Sequence, residues 1–318
     1  MKKYLLLTVL ILFFNGCDES FDPKKNFTEK YLLYSIIKAD SSLQVAMIAK
    51  SFEVDGFNPG LYQGNPFEAG STVSIYNSRT RETTLLSDTS ATVLPQFPGE
   101  TPFYKAEKVN PRAMDTITIV AVTPTGSTLV GKTVIPPPPV LRLSNSQITT
   151  VTNDPNRTTW DVSWTIQGDF IFVPKLTLFY ATDKNGVVKG YRIEIPLTYI
   201  DSDNGRIPFY PSSTRARGLS FDFEVIDDIM AQISEGDMDK FSYVIQDAVF
   251  ELLILDNNLA NYYSSTEGFL DEFSVRLDEV TYSNVEGGLG VVGSTSVITR
   301  KVNIEANYVQ GFGYRSRL

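Results

Sequence analysis

The sequence predicts a mainly β protein, with an N-terminal immunoglobulin-like β-sandwich followed by a second β-rich domain that contains one or two short helices. Short apolar or alternating runs begin at Tyr31 and recur between clusters of turn residues, as half-buried strands do. Roughly seven such runs over ~105 residues fit a sandwich of the immunoglobulin type. Four prolines at 136–139 then interrupt the pattern. Because proline lacks the N–H that strand pairing needs, we predict the domain boundary there.

The first predicted domain spans residues 31–137 and the second spans residues 138–318. Strands are predicted in the first domain at 31–37, 43–49, 71–76, 82–86 and 116–122. Strands are predicted in the second domain at 158–166, 175–181, 187–198, 249–255 and 295–308. Asn185-Gly186 separates two of these runs and is a strong hairpin signal. Trp160 and Trp164 are expected on one face of their strand.

Helices are predicted at two places in the second domain. Apolar side chains between Val225 and Ile233 recur at helical spacing, and Gly236 ends the pattern. Residues 257–265 follow an apolar strand and form the second predicted helix.

The leader predicts export and a lipid anchor. Lys2 and Lys3 precede an apolar run at 4–14, which is too short for a bilayer that needs ~20 apolar residues. Gly16 stands directly before Cys17, as in a bacterial lipoprotein signal. We therefore predict a signal peptide at 1–16, lipidation of Cys17 and a polar tether at 17–30. The alternative is an ordinary secretory leader with an incidental cysteine.

Composition excludes several kinds of chemistry. The chain has no histidine, and Cys17 is its only cysteine. These two facts exclude His-dependent triads, disulfides and Cys/His zinc sites. With 28 basic and 37 acidic residues the net charge is −9, which disfavours binding to a phosphate backbone. We expect no nucleic-acid partner, no cofactor and no bound metal.

Two nucleotide-binding patterns occur, and the flanking sequence argues against both. Residues 126–133 match the P-loop pattern, but Val134 and Ile135 run straight into prolines, so no phosphate-binding helix can follow. We expect a hairpin instead, with strands at 116–122 and 127–135 and a turn at 124–126. Residues 288–293 match the dinucleotide fingerprint, but a β-rich run follows where a helix is required. These glycines are expected to allow positive φ and close packing in a loop before the last strand.

Aromatic segments supply the candidate contacts for a partner or ligand. Loop aromatics can anchor a protein or stack on a sugar, and they can equally cap the sandwich core. The segments are 55–70, 96–104 and 308–318, and the tail is expected to be exposed. The candidate residues are Phe57, Tyr62, Phe67, Phe103, Tyr104, Phe312, Tyr314 and Arg315.

Two other functional interpretations stay open at this point. Carboxylates alone can hydrolyse glycosides, and the acidic candidates are Asp227, Asp228, Asp237, Asp239, Asp271 and Glu272. Residues 201–205 offer oxygen ligands for calcium, but they lack the spaced glutamate of an EF-hand and favour an Asx-rich turn.

Three segments together resemble a known family. They are residues 135–138, residues 249–256 followed by Tyr262-Tyr263, and residues 282–290. In this order they are similar to a family of Bacteroidota outer-membrane lipoproteins of unknown function, the domain of unknown function 4249 type. The resemblance implies export, a lipid anchor and an association with TonB-dependent receptors, and it implies no catalytic residue. Asp18 and Glu19 resemble the signal that sends such lipoproteins to the cell surface.

The sequence therefore predicts a non-enzymatic lipoprotein of the outer membrane, lipid-anchored and facing the cell exterior. Its expected role is a binding or accessory subunit of an outer-membrane β-barrel of the TonB-dependent receptor type. The alternative is a carboxylate-based glycan-active enzyme or a stand-alone glycan-binding lipoprotein.

Overall fold

The structure, a computed structural model, describes residues 27–53, 62–91, 100–151, 156–203, 205–265 and 282–317. The protein is mainly β, as predicted. The strands are β1 (Tyr31–Lys38), β2 (Gln44–Lys50), β3 (Thr72–Asn77), β4 (Glu82–Leu85), β5 (Ser87–Ala91), β6 (Thr101–Ala106), β7 (Thr116–Val122), β8 (Thr128–Val134), β9 (Val140–Leu143), β10 (Gln147–Ile148), β11 (Thr159–Thr165), β12 (Ile171–Lys184), β13 (Val187–Glu194), β14 (Thr198–Ser202), β15 (Gly205–Phe209), β16 (Gly218–Asp222), β17 (Tyr243–Leu255), β18 (Val285–Glu286), β19 (Leu289–Ile304) and β20 (Arg315–Ser316). The helices are α1 (Phe223–Gln232), α2 (Asn257–Ser265) and α3 (Ala306–Gly311).

One large sheet runs through both halves of the chain. Its strand order is β13-β12-β17-β19-β1-β2-β6-β5, and two short strands pair with its central strands, β10 with β19 and β20 with β17. The junction is the parallel pair β1–β19, which aligns Leu32 with Leu289 and Lys38 with Thr295. The sheet therefore crosses the domain boundary predicted at residue 137, because β19, near the C-terminus, pairs with β1.

The N-terminal half forms a β-sandwich. The sheet β18-β8-β7-β3-β4 packs against the β1, β2 and β6 part of the large sheet. Leu33, Ile48, Ile117 and Ile119 fill the space between the layers and are essentially inaccessible to solvent. Val285 and Val292 come from the C-terminal half and complete this core. The immunoglobulin-like assignment of this sandwich stays a prediction.

A second core lies on the other half of the large sheet. The sheet β16-β11-β9 packs over β12, β17 and β19, and α1 and α3 close the ends. Trp160 and Trp164 both point into this core, as predicted. Trp164 packs edge-on against Phe172, with ring centroids 5.4 Å apart.

The predicted helices are present. In α1 the side chains of Val225, Ile226 and Met230 are buried, and Gly236 follows with φ +78°. Helix α2 begins at Asn257, and the Leu259 N–H donates to Oδ1 of Asp256 at 3.0 Å. A side-chain acceptor at this position satisfies an N–H that the first turn leaves unpaired.

The turns explain the rejected nucleotide motifs. The P-loop match lies in the β7–β8 hairpin, with Gly126 at φ +86° in its turn, so the predicted hairpin is confirmed. The hairpin at Asn185-Gly186 is also confirmed, because both residues have positive φ, 53° and 77°.

The second glycine motif is only partly as expected. Gly290 has positive φ and packs against backbone, but Gly290 and Gly293 lie inside β19 and not in a loop before it. The predicted strand at 295–308 is also wrong at both ends. It begins earlier, at Leu289, because β1 pairs with it there, and it ends at Ile304, after which α3 turns Tyr308 and Val309 into the core.

Candidate functional site

The structure separates the predicted contact residues by burial. Cys17 and Phe57 lie outside the described residues. Phe67, Tyr104 and Tyr314 are buried. The Tyr104 hydroxyl donates to the Glu68 carbonyl oxygen at 2.7 Å, so this ring belongs to the core and offers no surface to a partner.

The aromatic rings of the C-terminal segment, Tyr308, Phe312 and Tyr314, are buried or half-buried, contrary to the expectation that this segment is exposed. β20 pairs in parallel with the start of β17. The Tyr314 hydroxyl donates to the Met230 carbonyl oxygen at 2.7 Å, and Phe312 is stacked on Tyr314. The aromatic rings of this segment complete the core beside α1. The sequence alone does not show this, because aromatic residues at 308, 312 and 314 could equally lie on a surface.

Tyr62 and Phe103 are half-buried. Tyr62 is stacked on Phe52, with ring centroids 4.0 Å apart. Phe103 lies in β6, where Thr89 of β5 is its partner. Neither ring joins a larger exposed aromatic surface among the described residues.

Arg315 is the predicted contact residue that borders an exposed apolar surface. Its Nε donates to the Phe241 carbonyl oxygen at 2.8 Å, and its guanidinium lies 5.2 Å from the centroid of the Phe241 ring. Phe241 is 70% exposed and Met238 is 97% exposed. We call Met238, Phe241, Arg315 and Lys184 the turn patch, because two of its members lie on the connection between α1 and β17.

Charged groups hold the turn patch in place. Lys184, at the end of β12, forms an ion pair with Asp237, whose Oδ2 also accepts a hydrogen bond from the Tyr243 hydroxyl at 2.9 Å. The Lys184 hydrogen bond, helped by the Asp239 N–H, lowers the pKa of Asp237 to about 2. Arg315 Nη2 lies 3.3 Å from Asp183 Oδ2. The connection 237–241 is thereby fixed to the β12–β13 hairpin while its apolar side chains face solvent.

Two of the acidic candidates, Asp227 and Asp237, are engaged by neighbouring side chains. Oδ1 of Asp227 accepts hydrogen bonds from the hydroxyls of Tyr308 and Thr150, each at 2.8 Å. Asp237 belongs to the turn patch, and Asp271 and Glu272 lie outside the described residues. Of the proposed calcium ligands, Asp201 and Ser202 lie at the end of β14, where Ser202 pairs with Gly205 of β15 and its Oγ donates to the Gly205 carbonyl oxygen at 2.7 Å. Within the described ranges, no group of three acidic side chains could hold a metal ion.

A buried polar cluster, which sequence reasoning missed, joins the two halves of the protein. Asp256, at the end of β17, is 4% exposed. Its Oδ2 lies 2.5 Å from Thr133 Oγ1 of β8, which lies 2.7 Å from Ser294 Oγ of β19. Burial raises the pKa of Asp256, although hydrogen bonds from Thr133 and from the Leu259 N–H oppose that effect. The sequence signal was an aspartate directly after an apolar strand and before a predicted helix.

Two asparagines extend this cluster. Asn258 and Asn284 both donate from Nδ2 to the Lys132 and Val292 carbonyl oxygens, at 2.8 to 3.2 Å. The Tyr282 hydroxyl donates to Oδ1 of Asn258 at 2.9 Å. Residues from two of the segments that carry the family resemblance, 249–256 and 282–290, therefore meet at one structural junction.

The comparisons with known proteins concern the same region. A family model described as a domain of unknown function, DUF4249, matches residues 18–301. The chain belongs to this family. The DUF4249 match includes the buried polar cluster and most of the turn patch, and it ends before Arg315. No curated protein matches the chain at a significant level. In the described part of this DUF4249 protein, no helix is both long and apolar enough to cross a membrane.

Proposed function

We propose that this protein is a surface-exposed outer-membrane lipoprotein that acts as a binding or accessory subunit of an outer-membrane β-barrel of the TonB-dependent receptor type. The leader, the single Cys17 and the polar tether support the anchor. The resemblance of residues 249–256 and 282–290 to such lipoproteins supports the neighbourhood. The observation that favours docking over catalysis is the turn patch.

The composition of the turn patch suits a protein partner. Methionine, aromatic residues and arginine are enriched at protein interfaces. Phe241 and Met238 expose large apolar side chains to water, so covering them would gain free energy. Arg315 is already held by Asp183 and by the Phe241 carbonyl oxygen, which lowers the entropy lost on binding. A lipid tether raises the effective concentration at the membrane, so a small patch suffices.

Replacement of the predicted lipidation site tests the anchor. We expect Cys17→Ser to release the protein from membranes, because each buried CH₂ of an acyl chain contributes about 0.8 kcal/mol to membrane binding. Membrane fractionation at high salt measures the effect, and circular dichroism of the released protein should match that of the parent. A Cys17→Ser protein that stays wholly with the outer membrane would contradict the anchor.

Replacement of the two exposed apolar side chains tests docking. We expect the double variant Met238→Ala, Phe241→Ala to lose at least nine-tenths of the barrel protein that mild cross-linking recovers from native membranes, because such anchors dominate small interfaces. Quantitative mass spectrometry of the cross-linked material measures the loss. The control is Leu85→Ala, since Leu85 on β4 is 67% exposed and lies in the N-terminal sandwich, which does not contain the turn patch. Recovery of monomer alone from the parent protein would refute the barrel partnership.

A further inference from the structure

A gap in the pairing of β19 leaves part of the large sheet with an open edge. On one side, β19 pairs with β17 as far as Val302. On its other side, β1 pairs with β19 only as far as Thr295, and β10 begins to pair at Asn303. In the described part of the chain, residues 296–302 therefore have no strand beside them on that side. At about 3.3 Å per residue this open edge is roughly 23 Å long.

The backbone groups that face the open edge can be assigned from neighbouring hydrogen bonds. The Thr295 carbonyl oxygen accepts from Ala39 N–H on the open side, whereas the Ser294 carbonyl oxygen accepts from Asp256 N–H on the β17 side. Because backbone groups alternate in direction along a strand, the N–H and C=O groups of Val297, Thr299 and Lys301 point towards the open side. They form an unused row of donors and acceptors.

A cleft of about 590 Å³ lies against this edge, within the range of ligand-binding clefts. β9, the edge strand of the sheet β16-β11-β9, contributes Leu141 and Leu143 to the wall of the cleft. β19 contributes Ile298 and Arg300. Arg300 is exposed, and no carboxylate of the described residues forms an ion pair with it. The cleft thus combines apolar side chains, an open strand edge and two cationic side chains, of which Lys301 is already paired with Asp247 at 2.8 Å.

The opposite face of the same edge carries a smaller pocket of about 230 Å³, whose lining is mainly apolar but includes Lys38, Asp40 and Glu251. Val297, Leu253 and Val173 line it from three adjacent strands. A strand added beside β19 would direct successive side chains to alternate faces, into the cleft and towards this pocket. Side-chain pockets beside an open edge are what gives strand addition its sequence selectivity.

We propose that an extended peptide segment binds here by adding a strand to the open edge of β19, with apolar side chains at alternate positions and an acidic side chain opposite Arg300. Backbone hydrogen bonds to Val297, Thr299 and Lys301 supply affinity, while Leu141, Leu143 and Ile298 select the apolar residues. The site is separate from the turn patch, and the proposal does not depend on the function proposed above.

The probes are fluorescein-labelled heptapeptides with leucine, valine or phenylalanine at positions 2 and 4, aspartate at position 6 and threonine elsewhere. The same peptides in reversed order test the other strand direction. Fluorescence anisotropy with the full chain measures the affinity. Amide hydrogen exchange, resolved by NMR, should show Val297, Thr299 and Lys301 exchanging fast in the free protein and becoming protected when peptide is added.

Two variants with matched controls locate the contact. Thr299→Pro removes an N–H that faces the cleft, so we expect at least tenfold weaker binding, whereas Thr299→Val keeps the N–H and should bind as the parent does. Arg300→Gln should weaken the aspartate peptides at least fivefold and leave their asparagine counterparts unchanged, a readout that loss of folding would not give. Absence of binding by every peptide at millimolar concentration, or slow exchange of the three amides in the free protein, would overturn the proposal.

Discussion

Gly290→Ala is expected to destabilise the protein by more than about 4 kcal/mol, a large part of the 5–15 kcal/mol that holds a typical domain folded. Gly290 has φ +111°, a conformation that side chains rarely adopt. A Cβ there would lie 2.2 Å from the Leu33 carbonyl oxygen and 2.8 Å from the Leu33 nitrogen. Both obstacles are backbone atoms of β1, so rotamer changes cannot relieve them, and the β1–β19 junction must open.

Urea unfolding followed by far-ultraviolet circular dichroism measures this loss. The control is Gly190→Ala in β13, because nothing lies within 4 Å of the Cβ position there and φ is not positive. We expect that variant to stay within about 1 kcal/mol of the parent. Equal stability of the Gly290 and Gly190 variants would contradict the parallel pairing that unites the two sandwiches.

Local patterns predicted the elements well and the long-range pairing poorly. The strand at 116–122, the helix at 257–265 and the Asn185-Gly186 hairpin depend on residues near each other in sequence, and all three are present. The β1–β19 pair joins residues more than 250 positions apart. Periodicity marks both segments as strands, but it carries no information about which strand lies beside which. The boundary predicted at the proline run therefore separates strands that the large sheet joins.

The candidate contact residues show the same contrast between what is local in the sequence and what depends on the fold. Aromatic content identified segments 55–70, 96–104 and 308–318, but composition does not tell a buried ring from an exposed one. Tyr104 and Tyr314 can bury their apolar rings because backbone carbonyl oxygens inside the protein accept hydrogen bonds from their hydroxyls. Met238 and Phe241 were not predicted, because a methionine and a phenylalanine beside a helical pattern are normally core residues. Only the folded position of Arg315 brings the predicted and unpredicted residues together.

If the Asp256 carboxyl group is ionised, the Asp256 cluster has one hydrogen too few to place a hydrogen bond in each of its three oxygen–oxygen contacts. The contacts Asp256–Thr133, Thr133–Ser294 and Ser294–Val134 carbonyl measure 2.5, 2.7 and 2.9 Å. Two hydroxyl groups supply two hydrogens for these three oxygen–oxygen contacts. If Asp256 is protonated, its carboxyl group supplies the third hydrogen by donating to Thr133, and Thr133 then donates to Ser294. The raised pKa of the buried carboxyl group agrees with this assignment.

A protonated Asp256 predicts stability that falls as pH rises. Because its folded-state pKa lies above the unfolded value, the folded protein binds the proton more tightly, and the contribution is fully present only below the unfolded pKa of ~4. It is lost as pH rises through the folded pKa. We expect Asp256→Asn to remove this slope, since its amide donates to Thr133 at every pH. Asp256→Ala should cost about 3 kcal/mol at the low end of this pH range and less as pH rises, because it removes the α2 cap and leaves Thr133 and Asn258 without that partner.

Urea unfolding of the parent, Asp256→Asn and Asp256→Ala between pH 4 and 8 measures all three expectations. The Asn variant keeps the size of the side chain and the acceptor for the Leu259 N–H, and it loses the acceptor for Asn258 Nδ2 at every pH, so the shape of its pH profile reports on protonation. If the parent and the Asn variant show parallel pH profiles, Asp256 is ionised in the folded protein and Thr133 shares its single hydrogen between two acceptors. If their profiles converge at low pH and separate above it, with the Asn variant the more stable, the junction between the two sandwiches is held by a neutral carboxylic acid.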